Sequence, residues 1–180
     1  MVDGSLGLII RTLGEFYAFI VLLRFLLQLS HADFYNPISQ AVAKMTNVPV
    51  APLRRMIPAV AGKDFSALVL AILIKLGTFS LLFVVAGQFP NPLSLLVITL
   101  VSTLSTVLDI YFYAVIASVI ISWIAPNSFH PAPQLITQLT EPVFALARKI
   151  IPPIGGLDLS PILIFLVIQV IQLQLSGILH

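Results

Sequence analysis

The sequence predicts an all-α membrane protein of two tandem parallel repeats. Each repeat is a transmembrane helix, an amphipathic surface helix and a second transmembrane helix, giving four transmembrane helices. Three observations predict this. Hydrophobic residues make up 59% of the 180 residues and charged residues 9%, whereas a soluble domain carries about 25% charged residues. A chain so poor in charge cannot cover a water-facing surface, but it can face lipid. Four apolar stretches are each long enough to cross a bilayer. And the sequence, displaced by 94 positions, nearly repeats without a gap.

The repeat is carried by particular residues. Arg54, Ile57 and Pro58 align with Arg148, Ile151 and Pro152. Gly62, Asp64 and Ser66 align with Gly156, Asp158 and Ser160, and Pro37, Gln40 and Thr46 with Pro131, Gln134 and Thr140. Glu15-Phe16-Tyr17 falls on Asp109-Ile110-Tyr111. A register held over such a distance marks a duplicated unit. It divides the chain into a first repeat over residues 1–86, a periplasmic hairpin linker over 87–92 and a second repeat over 93–180.

The elements follow in order. Leu6 to Leu29 is the first span, although it holds Arg11, Glu15 and Arg24. The residues before it lack the basic start of a cleavable signal, so it reads as a retained anchor. The loop from Ser30 to Asp64 contains Ile38, Ala41, Val42 and Met45 at helical spacing, with Ser39, Gln40 and Lys44 elsewhere. This is the pattern of an amphipathic helix lying on a membrane. Phe65 to Ala86 carries one charge, Lys75, and as a helix reaches ~33 Å, about the thickness of the hydrocarbon core. Gly87-Gln88-Phe89-Pro90-Asn91-Pro92 is a tight helical hairpin. The third span, Leu100 to Trp123, is preceded by apolar residues from Leu93, which predicts a protruding or tilted helix. Leu135, Leu139, Val143 and Leu146 repeat the amphipathic stripe in the second loop, Ile124 to Leu159. Ser160 to Leu179 is an uncharged span.

Charge sets the expected orientation. The two long loops hold Lys44, Arg54, Arg55, Lys63, Arg148 and Lys149, while the other side holds Asp3, an uncharged hairpin and His180. The positive-inside rule places both long loops in the cytoplasm and both termini in the periplasm of a bacterial inner membrane. Two crossings per unit then make the copies parallel. The net charge of +2 and pI near 9.2 do not point to nucleic acid, because the basic residues lie where topology puts them. The absence of cysteine excludes disulfides, thiolate metal sites and a cysteine nucleophile. His31, His130 and His180 lack metal-ligand spacing, and no catalytic or nucleotide-binding motif occurs. No cofactor, metal or catalytic residue is expected.

The most specific stretch is the elbow before the second span of each unit: Arg54-Arg55-Met56-Ile57-Pro58 with Gly62, Asp64 and Ser66, and Arg148-Lys149-Ile150-Ile151-Pro152 with Gly156, Asp158, Ser160 and Pro161. It resembles the YggT (YlmG) family of small bacterial and plastid membrane proteins, whose unit pairs a basic R-R-x-I-P step with G-G-x-D-x-S-P before a hydrophobic span. The first copy departs from that pattern, with Ala61 for a glycine and Ala67 for the proline. The resemblance implies an integral membrane protein without established catalysis. Its relatives are associated with cell-division gene neighbourhoods, osmotic or ionic stress, and haem assembly on a plastid cytochrome. Physically, Ser160 followed by Pro161 suits an N-cap with proline at the first helical position. Asp64 and Asp158 can accept hydrogen bonds from free amides at a helix start. Pro58 and Pro152 stop the surface helices, and Gly62 and Gly156 permit the turn. Arg54, Arg55, Arg148 and Lys149 are the expected contacts with anionic lipid headgroups or an acidic protein partner.

Charges within the spans form the second candidate site. Arg11 and Glu15, four apart, share a helix face. Glu15 and its counterpart Asp109, with Lys75 and its counterpart Gln169, are expected at one depth, facing inward, with at least one acid–Lys75 contact. Arg11, Gln172 and Gln174 extend this stripe outward. One reading is a buried network that fixes helix packing; the other is an ion or proton path, which four helices leave little room for unless an oligomer supplies it. The functional expectation is a non-enzymatic scaffold or assembly factor for other membrane components. The alternative is a small oligomeric ion channel or osmotic-stress protein built on the polar layer.

Overall fold

Prolines, an asparagine and a glycine set the element boundaries. The computed structural model describes residues 4–60, 63–125, 128–153 and 158–179. They form six α-helices: α1 Ser5–Leu29, α2 Pro37–Met56, α3 Ser66–Val85, α4 Pro92–Ile124, α5 Pro131–Ile150 and α6 Ser160–Leu179. Three begin on proline, whose fixed φ and missing N–H suit a first helical turn. The hairpin between α3 and α4 closes as its composition predicts. Gly87, at φ 68°, lets the Gln88 and Gly87 amides donate back to the Phe83 and Val84 carbonyls at 2.9 and 3.0 Å, a Schellman ending. Asn91 then accepts from the Leu93 amide at 2.9 Å and caps α4 ahead of Pro92.

Helices α1, α3, α4 and α6 are long and apolar enough to cross a membrane. Their exposed residues include Leu8, Leu13 and Phe16 on α1, Leu73 and Leu81 on α3, Leu93 and Leu100 on α4, and Ile162 and Leu173 on α6. Such surfaces are stable against hydrocarbon, where a helix satisfies its own backbone. The protein is an all-α, multi-pass membrane protein. Helix α4, with 33 residues, reaches ~50 Å, so it tilts or passes beyond the hydrocarbon core.

Two compact units form, and they do not coincide with the sequence copies. One contains the chain up to Phe25 and from Val42 to Thr106; the other contains Leu26–Ala41 and Val107–Ile178. The first half of α4 therefore packs with the first unit. In the second unit the α1–α2 turn sits on α5. Asn36 donates to the Pro131 carbonyl at 2.7 Å and the Asp33 amide to Gln138 at 2.9 Å.

Both surface helices form, with their packed faces rotated from the expected stripes. Met45 and Leu146 are exposed, as is Ala41. The buried residues are Ser39, Val42, Ala43, Thr46 and Val50 in α2, and Leu135, Leu139, Thr140, Phe144 and Ala147 in α5; Ser39, expected away from the packed stripe, lies on it. The rotation has a cause in the threonines, which an apolar count passes over. Thr46 and Thr140 hide their hydroxyls by donating to the carbonyls four residues earlier, Val42 and Ile136, at 2.6 and 2.8 Å. Helix α2 also runs through Pro49 and Pro52. Pro49 has no N–H for the Met45 carbonyl; the Tyr17 hydroxyl donates to it instead, at 3.2 Å.

Candidate functional site

In the first unit one lysine joins three helices. Lys75, 1% exposed, donates from Nζ to Glu15 Oε2 on α1 at 2.5 Å and to Ser102 Oγ on α4 at 2.8 Å. A buried ammonium is costly unless paired and hydrogen-bonded; here it has both. The close approach of α1 and α3 depends on Gly14. A Cβ there would lie 2.1 Å from Thr78 Oγ1 and 2.9 Å from Thr78 Cβ. Arg24 makes a second polar tie, donating from Nη1 to Thr46 Oγ1 at 2.7 Å and to the Ala43 carbonyl at 3.3 Å.

The second unit resolves its polar groups differently. Asp109, expected to face inward, is exposed, and its Oδ1 accepts from Gln172 at 2.8 Å; Gln169 is exposed as well. This corrects the expectation of an inward-facing Asp109 and Gln169. Both side chains are shorter than their counterparts Glu15 and Lys75, and the contact forms one helical turn further along α6. Arg11 is exposed, and Glu15 pairs with Lys75 rather than with it. Leu108 stands where the first copy has Gly14. It lines an apolar cavity of about 270 Å³ with Tyr111, Ala147 and Ile164.

The two elbows have the same construction. Arg54 Nε donates to Asp64 Oδ2 at 2.5 Å, and the Ser66 amide to Asp64 Oδ1 at 2.8 Å. Arg148 Nε donates to Asp158 Oδ2 at 3.0 Å, and the Ser160 amide to Asp158 Oδ1 at 2.9 Å. Each aspartate thus ties the last turn of a surface helix to the first amide of a spanning helix. Arg148 also pairs with Glu141 at 3.0 Å and lies over the Phe144 ring, 5.4 Å from its centroid. The expected serine cap is replaced. Helix α6 starts at Ser160, so Pro161 takes its second position. Asp158 accepts from the Ser160 amide itself, and the Ser66 and Ser160 hydroxyls are buried. The basic pairs divide. Arg54, itself exposed, and the half-buried Arg148 pair with the aspartates, whereas Arg55 and Lys149 are exposed without that pairing role. Gly62 and Gly156 lie outside the described residues.

Burial alone would raise Asp64. The Ser66 hydroxyl and amide and the Arg54 guanidinium outweigh it and hold the carboxyl below its usual range. Asp158 is lowered in the same way by Ser160 and Arg148. A carboxyl depressed in the folded state contributes stability that is present above its unfolded value and lost as pH falls through its folded one. Thermal unfolding of the purified chain should therefore drop on acidification through and below the ordinary carboxylate range. Asp64→Asn with Asp158→Asn should remove part of that drop and cost about 0.2–1 kcal/mol per pair at neutral pH, the range for exposed ion pairs.

Among the described residues no group of three His, Cys, Asp or Glu is placed to hold a metal ion. The family described as CCB3/YggT matches the chain twice, over residues 4–85 and 97–179. The uncharacterized protein PA0392 of Pseudomonas aeruginosa is 46% identical over 167 residues, covering 92% of this chain and 85% of its own. The uncharacterized protein YggT of Escherichia coli K12 is 31% identical over 177 residues, 98% of this chain and 92% of its own. The chloroplastic YlmG homolog protein 2 of Arabidopsis thaliana is 37% identical over 62 residues, 34% of this chain and 24% of its own. No solved structure matches.

Proposed function

The chain belongs to the CCB3/YggT family, and we propose that it serves in the bacterial inner membrane as a non-enzymatic scaffold that helps place or assemble other membrane components. Both long loops are cytoplasmic in this reading and both termini periplasmic. The observation that carries it is the elbow, built twice from Arg, Asp and the amide of Ser, each leaving one cation outward beside an exposed apolar residue: Arg55 next to Met56, and Lys149 next to Ile150. A cation held beside an apolar side chain at the end of a surface helix suits the headgroup layer, where each is worth about 1 kcal/mol toward anionic lipid. Two copies of it offer a partner a repeated contact. The Lys75–Glu15–Ser102 contact favours a packing role for the polar layer over conduction, since the charges neutralise each other within the helix bundle.

Photo-crosslinking residues at positions 55 and 149, used separately in native membranes, test this reading. The expected result is the same membrane-protein adduct from both positions, weakened by Asp64→Ala or Asp158→Ala. Adducts to lipid alone, or ion flux in liposomes abolished by Lys75→Met, would overturn it.

A further inference from the structure

Position 24 of the first copy corresponds to position 118 of the second, where arginine is replaced by serine. In the first unit the Arg24 guanidinium fills the space against α2, donating to Thr46 Oγ1 and the Ala43 carbonyl. The corresponding acceptors of the second unit are Thr140 Oγ1 and the Thr137 carbonyl. Thr140 is 1% exposed, and its hydroxyl donates to the Ile136 and Thr137 carbonyls at 2.8 and 3.3 Å. That repeats what Thr46 does toward Val42 and Ala43 at 2.6 and 3.4 Å. No donor among the described residues reaches the Thr140 oxygen. In place of the missing guanidinium there is a cavity of about 470 Å³, whose lining includes Ser118, Ser122, Thr140, Glu141, Arg148 and Asp158. Glu141 itself replaces the neutral Asn47 of the first copy. The wall carries two carboxylates and one guanidinium, so it lacks one positive charge.

We propose that this cavity binds the primary ammonium of an aminophospholipid headgroup, which takes the place that Arg24 holds in the first unit. The position suits a lipid. The cavity lies between the last turns of the α4 span, the surface helix α5 and the start of α6, and Trp123 is in its wall, the residue type that marks the headgroup layer. Val119 and Phe144 supply apolar wall for the glycerol end. The ammonium donates to Thr140 Oγ1 and Glu141, as a charge-assisted bond. Arg148 spends two of its five N–H donors on Asp158 and Glu141; the others remain for the phosphate that an ethanolamine headgroup carries two carbons from its nitrogen. The proposal needs the membrane fold but not the scaffold role, since headgroup binding and protein crosslinks are read separately.

The test is native mass spectrometry of the purified full chain titrated with phosphatidylethanolamine, phosphatidylcholine and phosphatidylglycerol. Phosphatidylethanolamine should bind at least tenfold more tightly than phosphatidylglycerol, and more tightly than phosphatidylcholine, whose ammonium has no proton to donate. Ser118→Arg rebuilds the first copy's arrangement. It should lower phosphatidylethanolamine affinity at least tenfold without lowering the unfolding temperature. Glu141→Gln, which keeps size and shape, should erase most of the preference and decides the matter if Ser118→Arg does not fold. Equal binding of the three headgroups, or a preference that survives Glu141→Gln, would overturn the proposal.

Discussion

Glu15→Leu should destabilise the protein by about 3–5 kcal/mol, the cost of removing one partner from a buried ion pair. Lys75 is 1% exposed while Glu15 is 32% exposed, so the two halves of the pair are not equivalent. Without Glu15 the ammonium keeps only Ser102 Oγ, and a buried charge short of its partner is costly. Lys75→Met should cost less, because the stranded Glu15 is only partly buried and keeps access to its surroundings. The double variant Glu15→Leu with Lys75→Met should recover most of the loss, since a buried pair replaced by apolar groups of similar size is often neutral or better. Unfolding in detergent across this double-mutant cycle measures the coupling. A double variant no better than Glu15→Leu alone would mean that the pair is not what holds α1, α3 and α4 together.

Gly14→Ala should cost about 1–3 kcal/mol, the range for an overpacked contact. Its Cβ would meet Thr78 Oγ1, Cγ2 and Cβ at 2.1, 2.7 and 2.9 Å. Rotation of Thr78 cannot relieve this, because its Cβ is fixed by the helix backbone and its hydroxyl is held on the Ile74 carbonyl at 2.8 Å. The helices must part, and Glu15, the next residue, moves away from Lys75. Thr78→Ala should therefore rescue little and Thr78→Gly more, as read by unfolding temperature. Leu108, the counterpart of Gly14, shows that the second copy does not share this restriction. It lines an open cavity rather than a close helix contact.

Those two effects show what can be read from a sequence and what cannot. The duplication exposed the elbow because Asp64 and Asp158 do the same local work, and local bonds survive copying. The acid–Lys75 contact was legible from depth along two apolar spans. Ser102, the third member of that cluster, was not, because hydroxyls are common in spans and only the rotation of α4 selects one. Gln172 supplants Gln169 because alignment preserves position and says nothing of side-chain length. The Arg24–Thr46 bond and the Tyr17–Met45 bond depend on how α2 lies against α1. The second also depends on a carbonyl that Pro49 leaves free, and an apolar count registers neither. An apolar stripe leaves out the buried Thr46 and Thr140, so in both surface helices it lies rotated from the packed face.

The absence of cysteine from the chain makes one measurement unusually clean: single cysteines at Lys44, Gln138 and Asn91, labelled in intact cells with a membrane-impermeant maleimide. If two like copies run through the bilayer in the same sense with both elbows inside, positions 44 and 138 stay unlabelled until the membrane is opened, and position 91 in the hairpin labels from outside. Labelling of 44 and 138 from opposite sides would contradict it.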